Sequence, residues 1–431
     1  MKRPLQFLRS NFLPILGGLR FTLLAAVMSV FVCQPSAAQR HEVLSPDVAS
    51  LTVVAGTDWL SLPVTQLGGE PVNIDFDVLN HELHRYTYKI EHCEADWTVS
   101  TQLLTSDFVK GFAEGNTIED AEKSLNTNEL YTHYHLQLPN SKCAFTMSGN
   151  YRLTVYDEDD DNAPVLTACF MVVEPAASVG LRILTNTDAD INGRHQQVAM
   201  EVGYGALRVT NPEEQIHTVV LQNGRWDNAR RDAKPQYVMA DGLRWNHCRD
   251  YIFDGGNEYR KFEMLDVDHT TMGLESLEWD GRNYNAYVWT DESRPNYVYD
   301  NDANGAFFIR NSDNSEIDYT CEYLLTHFRL KTPERLNGRV FLNAKWTYDR
   351  FLPAFEMIYN EVSHCYEATV KLKQGYYSYQ YLLVDEDGNA RPVPSEGNFY
   401  QTENTYQALV YYRELGGRTD RLVGYARAEY K

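Results

Sequence analysis

The chain has 431 residues, 43% of them hydrophobic and 23% charged. Those ordinary values exclude a disordered polymer and leave room for roughly two to four domains. Lys and Arg number 39 against 60 Asp and Glu, a formal net charge of −21, and such a surface repels phosphate backbones, which excludes nucleic acid as the main partner.

Residues 1–20 carry Lys2, Arg3, Arg9 and Arg20 and no acid. An apolar run from Phe21 to Val32 follows, too short to span a bilayer of about 30 Å as a helix. Ser36-Ala37-Ala38 then precede Gln39. A basic start, a short apolar middle and small residues before a cut predict a secretory signal peptide at 1–38, cleaved between Ala38 and Gln39. Cys33 does not read as a lipidated cysteine, because the bulky Val30-Phe31-Val32 stands before it. No later stretch is long and apolar enough for a transmembrane helix. The mature protein is expected to be exported, soluble or peripheral to a membrane. Its charge makes a protein a better tether than an anionic lipid surface. Six cysteines remain: Cys93, Cys143, Cys169, Cys248, Cys321 and Cys365. Export permits disulfides. The alternatives are a bridge within the first domain, Cys93–Cys143 or Cys143–Cys169, and unpaired thiols buried as small apolar residues.

Beyond the signal peptide, alternation with period two dominates, predicting an all-β chain of tandem immunoglobulin-like β-sandwich domains with few short helices. Ile74, Phe76 and Val78 share one face of a strand, and Tyr151, Leu153 and Val155 share a face of another. Tyr131 to Leu138 and Leu166 to Val173 complete a first sandwich at 39–175. Its one helix-like piece is Thr117 to Leu125, with Thr117 as an N-cap. A middle β-rich domain at 176–318 takes Leu181 to Leu184, Val198 to Val202, Ile216 to Leu221, Tyr287 to Trp289 and Phe307 to Arg310 as strands. Within it, Asp241 to Tyr259 is long enough to be a recognition loop. The third sandwich, 319–431, opens with Val340 to Trp346. Tyr366, Ala368, Val370 and Leu372 share a face, Tyr377, Tyr379, Tyr381 and Leu383 alternate, and Asp387-Gly388 marks a hairpin. Tyr406, Ala408, Val410 and Tyr412 give its closing strand.

Motifs for chemistry are sparse. Asp188-Ala-Asp190-Ile-Asn192-Gly193 and Asp300-Asn-Asp302-Ala-Asn304-Gly305 resemble the start of a calcium loop. Both lack the Glu at position twelve that completes the shell, having Ala199 and Asn311 there, so they read as tight turns. The acid run Asp157 to Asp161 reads as a solvated loop, with a weak divalent site as the alternative. His92-Cys93, His247-Cys248 and His364-Cys365 lack zinc spacing, and His81-Glu-Leu-His84 is one residue short of a metalloprotease helix. There is no nucleophile elbow, phosphate loop or cofactor motif, and no carboxylate pair is marked out. Aromatic loops remain. Arg225-Trp226-Asp227 sits in a turn-forming stretch after an apolar strand, and Tyr376 and Tyr377 lie in a tyrosine-rich block. These five residues are the candidates for a partner interface, since Trp, Tyr and Arg anchor such contacts. The bland alternative is that they fold back onto their own domains.

Seven segments lie in order across the chain: Ile90 to Trp97, Ser148 to Asp157, Gln222 to Ala229, Gly255 to Phe262, Leu372 to Tyr381, Glu396 to Asn404 and Gly417 to Gly424. By these the chain resembles the plug proteins of the Bacteroidota type IX secretion system, formerly a family of unknown function. Phe341 to Trp346 departs from the pattern, which would have a more Gly-rich turn before the Trp. The resemblance implies a non-catalytic periplasmic protein without cofactor or metal. It implies docking on the inner face of the large outer-membrane β-barrel translocon, closing its pore, and it carries over no site residues. The third domain is also similar to the β-sandwich modules beside starch-degrading enzymes. An exported glycan-binding protein is therefore the alternative, needing exposed coplanar aromatics at Trp346, Tyr376 or Tyr379. A hydrolase would need two convergent carboxylates or a Ser-His pair. A secreted cargo would end in its own sorting domain, whereas the motifs here run through Gly424.

Overall fold

The computed structural model of the chain describes residues 41–431. The signal peptide and its cleavage point at Ala38 and Gln39 lie outside the described residues. The described chain is almost entirely β, with only short helices. Among the described residues no helix is long and apolar enough to cross a membrane.

Two main sheets and a two-stranded ribbon of Val109–Gly111 with Cys143–Phe145 make the first part. One runs Glu42–Val43, Ala163–Val173, Gly149–Asp157, Tyr86–Cys93 and Glu114–Thr117, with Val64–Gln66 added in parallel to Ala163–Val173. The other runs Val48–Ala55, Val72–Val78, Thr132–Leu138 and Asp120–Lys123. Alternation sorts the side chains as the sequence predicts. Ile74, Phe76 and Val78 meet Tyr151, Leu153 and Val155 in one core, where Phe76 stacks on Tyr134 at 5.3 Å. Thr117 to Leu125 is not a helix. Glu114–Thr117 pairs with one sheet and Asp120–Lys123 with the other, while the short helix is Thr105–Phe108. The segment offers no helical apolar stripe, and the edges of two sheets capture it instead.

The remaining strands do not follow chain order. The middle part has one sheet of Ser178–Leu184, His195–Gly203, Gly242–Trp245 and Tyr237–Val238, with Ile252–Asp254 also on His195–Gly203. Its second sheet is Arg230–Arg231, Ile216–Gln222, Asn404–Tyr412 and Arg421–Tyr430. The strand holding Tyr406 and Tyr412 therefore pairs with Ile216–Gln222 and not with the third part. Its Tyr406, Ala408 and Val410 fill a core with Val198, Val220 and Trp245. Asp241 to Tyr259 is not an open recognition loop. It contributes two strands to the first of these sheets and buries Trp245, Cys248, Tyr251 and Phe253.

Between the two halves of the middle part lie the ten strands of one long sheet, from Arg260–Met264 to Ala390–Pro392. Arg260–Met264 pairs with Gly375–Val384, and Tyr284–Val288 runs parallel to Tyr323–Lys331, so pairings cross residues 318 and 319 freely. The ends approach where Glu263 N–H donates to Met272 O at 2.8 Å, and the sheet nearly closes into a barrel. Tyr377, Tyr379, Tyr381 and Leu383 line its interior. The predicted strand over Val340 to Trp346 ends at Asn343, and Lys345–Thr347 forms a helical turn. A fourth core joins the first part to the middle: Cys93, Trp97, Cys169 and Met171 pack with Val219, Leu221, Trp226, Leu409 and Tyr411.

Candidate interaction site

The loop after Ile216–Gln222 turns on Asn223 and Gly224, at φ +56° and +69°, a region that Asn and Gly tolerate. Asn223 is fixed by its Nδ2, which donates to Asn404 Oδ1 at 2.7 Å, and by its Oδ1, which accepts from Thr405 N at 2.8 Å. The turn delivers Arg225-Trp226-Asp227 into the meeting point of all three parts. Arg225 pairs with Asp227 through two nitrogens at 3.0 and 2.6 Å. Trp226, 8% exposed, meets Trp97 of the first part edge to face at 5.6 Å. Its backbone N–H donates to Asp349 of the third part at 3.3 Å. Burial pushes the Asp349 carboxyl up to about 7, and the neighbouring Asp227 charge adds to the effect.

The other candidates divide. Tyr377 is 1% exposed, stacked on Phe262 at 5.3 Å with its hydroxyl donating to Lys373 O at 2.5 Å. Tyr376 is half-buried at the junction with the first part, where Trp59 lies 6.2 Å from it and 5.4 Å from Phe308. Of the five candidates, Arg225, Trp226 and Tyr377 face the interior of this chain. The glycan platform fares no better: Trp346 and Tyr379 are buried in the third core, and Tyr379 donates to Asp291 at 2.7 Å.

A further cluster, unseen in the sequence reading, joins the first part to the third. Asp75 and Asp77 alternate with the core residues of Val72–Val78 and point away from them, and His133 and His135 do the same on the next strand. Lys373 Nζ reaches Asp77 Oδ2 at 2.6 Å, with both side chains at 2% exposure or less. Asp77 also accepts from Tyr323 OH at 2.6 Å and bonds His133 Nδ1 at 2.7 Å. Lys373 lies 4.2 Å from the centre of the Tyr131 ring. Burial alone would raise the Asp77 carboxyl; the Lys373 charge and the bond and charge of His133 together outweigh it and hold the group low. Burial alone would lower His133; its bonds to Asp75 and Asp77 overcome that and raise it to about 9. The legible signal was the alternation itself, since a row of Asp and His opposite a core face is a face that needs polar partners.

For metals, the one grouping of ligand side chains among the described residues is His84, Asp157 and Asp159. Each is already engaged: His84 Nδ1 with Asp157 at 3.1 Å, Asp157 with Asp159 N at 2.9 Å, and Asp159 with Arg85 N at 2.9 Å. Asp188, Asp190 and Asp302 are likewise occupied in local turns. All six cysteines are buried and none forms a disulfide, so neither Cys93–Cys143 nor Cys143–Cys169 is bridged.

A crystal structure of a hypothetical protein from Parabacteroides merdae ATCC 43184 is 37% identical to the chain. It covers 91% of this chain and 99% of its own, at a TM-score of 0.88. The family model for the type 9 secretion system plug protein 1st domain matches residues 48–174. The chain belongs to the type 9 secretion system plug protein family. In this plug protein the matched segment is the first part of the fold, and it carries Asp75, Asp77, Trp97 and His133 on its contacts with the other two. An enterococcal surface protein fragment (8% identical, covering 91% of this chain and 95% of its own) and a collagen adhesin from S. aureus (9%, 89% and 91%) reach TM-scores of only 0.18 and 0.12. At those values neither fold nor function transfers. No curated protein matches the chain.

Proposed function

We propose that this plug protein is a non-catalytic periplasmic protein that docks on the outer-membrane β-barrel translocon of the type IX system and closes it. On this reading it is held at the inner face of the outer membrane through that protein partner, and its first and middle β parts are sandwiches of immunoglobulin-like type. Family membership carries the reading. The architecture supports it physically. A wide aqueous pore leaks unless something large and stiff fills its mouth, and here a shared core joins the first part to the middle and a buried ion pair joins the first to the third.

The test is affinity capture of the tagged mature protein from solubilised envelope, with mass spectrometry of what comes along. A very large outer-membrane barrel as the dominant partner is expected. A protein recovered alone, or retained on glycan resin, would sink the reading.

A further inference from the structure

Two hollows adjoin on the middle part. The first, about 480 Å³, lies between the first-part loop at 94–102 and the outer face of Ile216–Gln222. The second, about 460 Å³, opens at the mouth between the two middle sheets. They share His217, Thr218 and Asp232 as a common wall. Their chemistry differs. The second is lined by Ile216, Ala233, Val238, Leu243 and Trp245. Beside it stands the edge strand Tyr237–Val238, whose two residues are 56% and 62% exposed.

The first hollow is polar, and most of its cations are spoken for. Arg413 is held by Glu94 and Asp420, both at 2.8 Å, Arg418 by Asp107 at 2.9 Å, and His217 by Asp232 at 3.3 Å. Asp96 accepts from Thr98 at 2.6 Å. Arg231 is the exception. Its guanidinium lies 5.5 Å from the Trp226 ring, and one nitrogen reaches Ala95 O at 3.4 Å. No carboxylate among the described residues lies within ion-pair distance of it. A half-buried arginine that Asp96 and Asp232 influence only from beyond ion-pair distance has donors to offer a ligand.

We infer that these adjoining hollows bind an extended polypeptide segment of a partner protein, its apolar side chains in the hollow under Trp245 and a carboxylate two or three residues on paired with Arg231. An extended chain advances about 3.3 Å per residue, so a short segment crosses the ridge at His217 and Asp232. The free edge at Tyr237–Val238 offers backbone groups for it to pair with. Arg231 grips a carboxylate in two places, which fixes the register of the segment. The inference does not depend on which protein supplies the segment, and its failure leaves the plug reading untouched.

Four fluorescein-labelled, amidated peptides of roughly six residues, about 20 Å extended, test it by fluorescence anisotropy against the whole mature protein. They are Val-Leu-Val-Gly-Ser-Asp, the same with a final Lys, the same with a final Asn, and Ser-Asn-Ser-Gly-Ser-Asp. Only the first is expected to saturate below about 1 mM. Arg231→Gln and Val238→Asp should each weaken it at least about tenfold. Val238 is well exposed, so its variant should melt like the parent and keeps the test open if Arg231→Gln misfolds. No saturable binding of the first peptide, equal binding of the Lys-ended peptide, or binding unmoved by Val238→Asp would overturn the inference.

Discussion

Replacing Lys373 with Met removes one partner of a fully buried ion pair while keeping the length and apolar bulk of the side chain. Asp77 is then a desolvated carboxylate with His133, raised to about 9, as its one remaining cation. Breaking such a pair from one side costs about 3–5 kcal/mol, because the remaining charge stays buried. Asp77 keeps His133 at 2.7 Å and Tyr323 at 2.6 Å, which places the loss at the lower end, about 3 kcal/mol. For a cooperative unit of this size that is a fall of roughly 4 °C in melting temperature. Scanning calorimetry at neutral pH measures it. Asp77→Asn in the Lys373→Met background should recover about 1 kcal/mol or more, since the uncompensated charge is gone.

The same variant has a pH signature of fixed sign. In the parent, the Asp77 carboxyl is held below its ordinary value, chiefly against burial by the Lys373 charge. Its contribution is present above the unfolded carboxylate range and lost as pH falls through the native value. Without Lys373, burial is opposed by His133 alone and the group moves up from its value in the parent, so the variant gains relative stability on acidification. The gap between parent and variant should be widest at neutral pH and narrow in acid. A loss below about 1 kcal/mol, the size of a surface pair, or a gap constant with pH, would refute the account of a buried latch.

Two other substitutions probe the junction around Trp226. Trp226→Ala should cost about 3–5 kcal/mol, and a double-mutant cycle with Trp97→Ala should return a coupling of about 0.5–1.5 kcal/mol. Strict additivity in denaturant melts would show that the two rings do not support each other. Asp349→Asn should flatten the pH dependence of stability on the acid side of neutrality. Burial holds the native carboxyl up at about 7, above the unfolded value of about 3.8. Its contribution is complete below the unfolded value and is lost as pH rises through about 7. The variant should therefore gain on the parent between about pH 4 and pH 7 in paired urea titrations, and equal slopes there would count against a raised Asp349.

How much of this was legible from the residues divides along one physical line. Strands that bury one face declare it by period two, and the alternations at Ile74, Phe76, Val78 and at Tyr377, Tyr379, Tyr381 are found where they were read. The opposite faces declare little. Trp226 looks like a surface anchor in a polar loop because its neighbours, Trp97 and Asp349, lie more than a hundred residues away on either side. Asp77 and Lys373 are almost three hundred residues apart, and neither position carries a mark of the other. The last strand, Arg421–Tyr430, went unread because only its first half is buried and its second half alternates charge with small residues.

The topology adds a second obstacle. Strands near in sequence usually pair, so the default is to close the third part with Asn404–Tyr412. Here the chain begins a sheet at Ile216–Gln222, leaves to build ten strands from 260 to 392, and returns to finish the sheet with its last two. Nothing in the local pattern of either half records the excursion. What the excursion achieves is visible only in three dimensions: the third part is tethered to the middle at both of its ends. It is also bridged to the first part by Lys373 and Asp77. It therefore has no single linker about which to swing. A rearrangement of the plug that moves the third part against the first breaks the buried pair at Asp77 and the contact of Asp349 with Trp226, which is why those two sites, and not the surface loops, are where its stiffness should be tested.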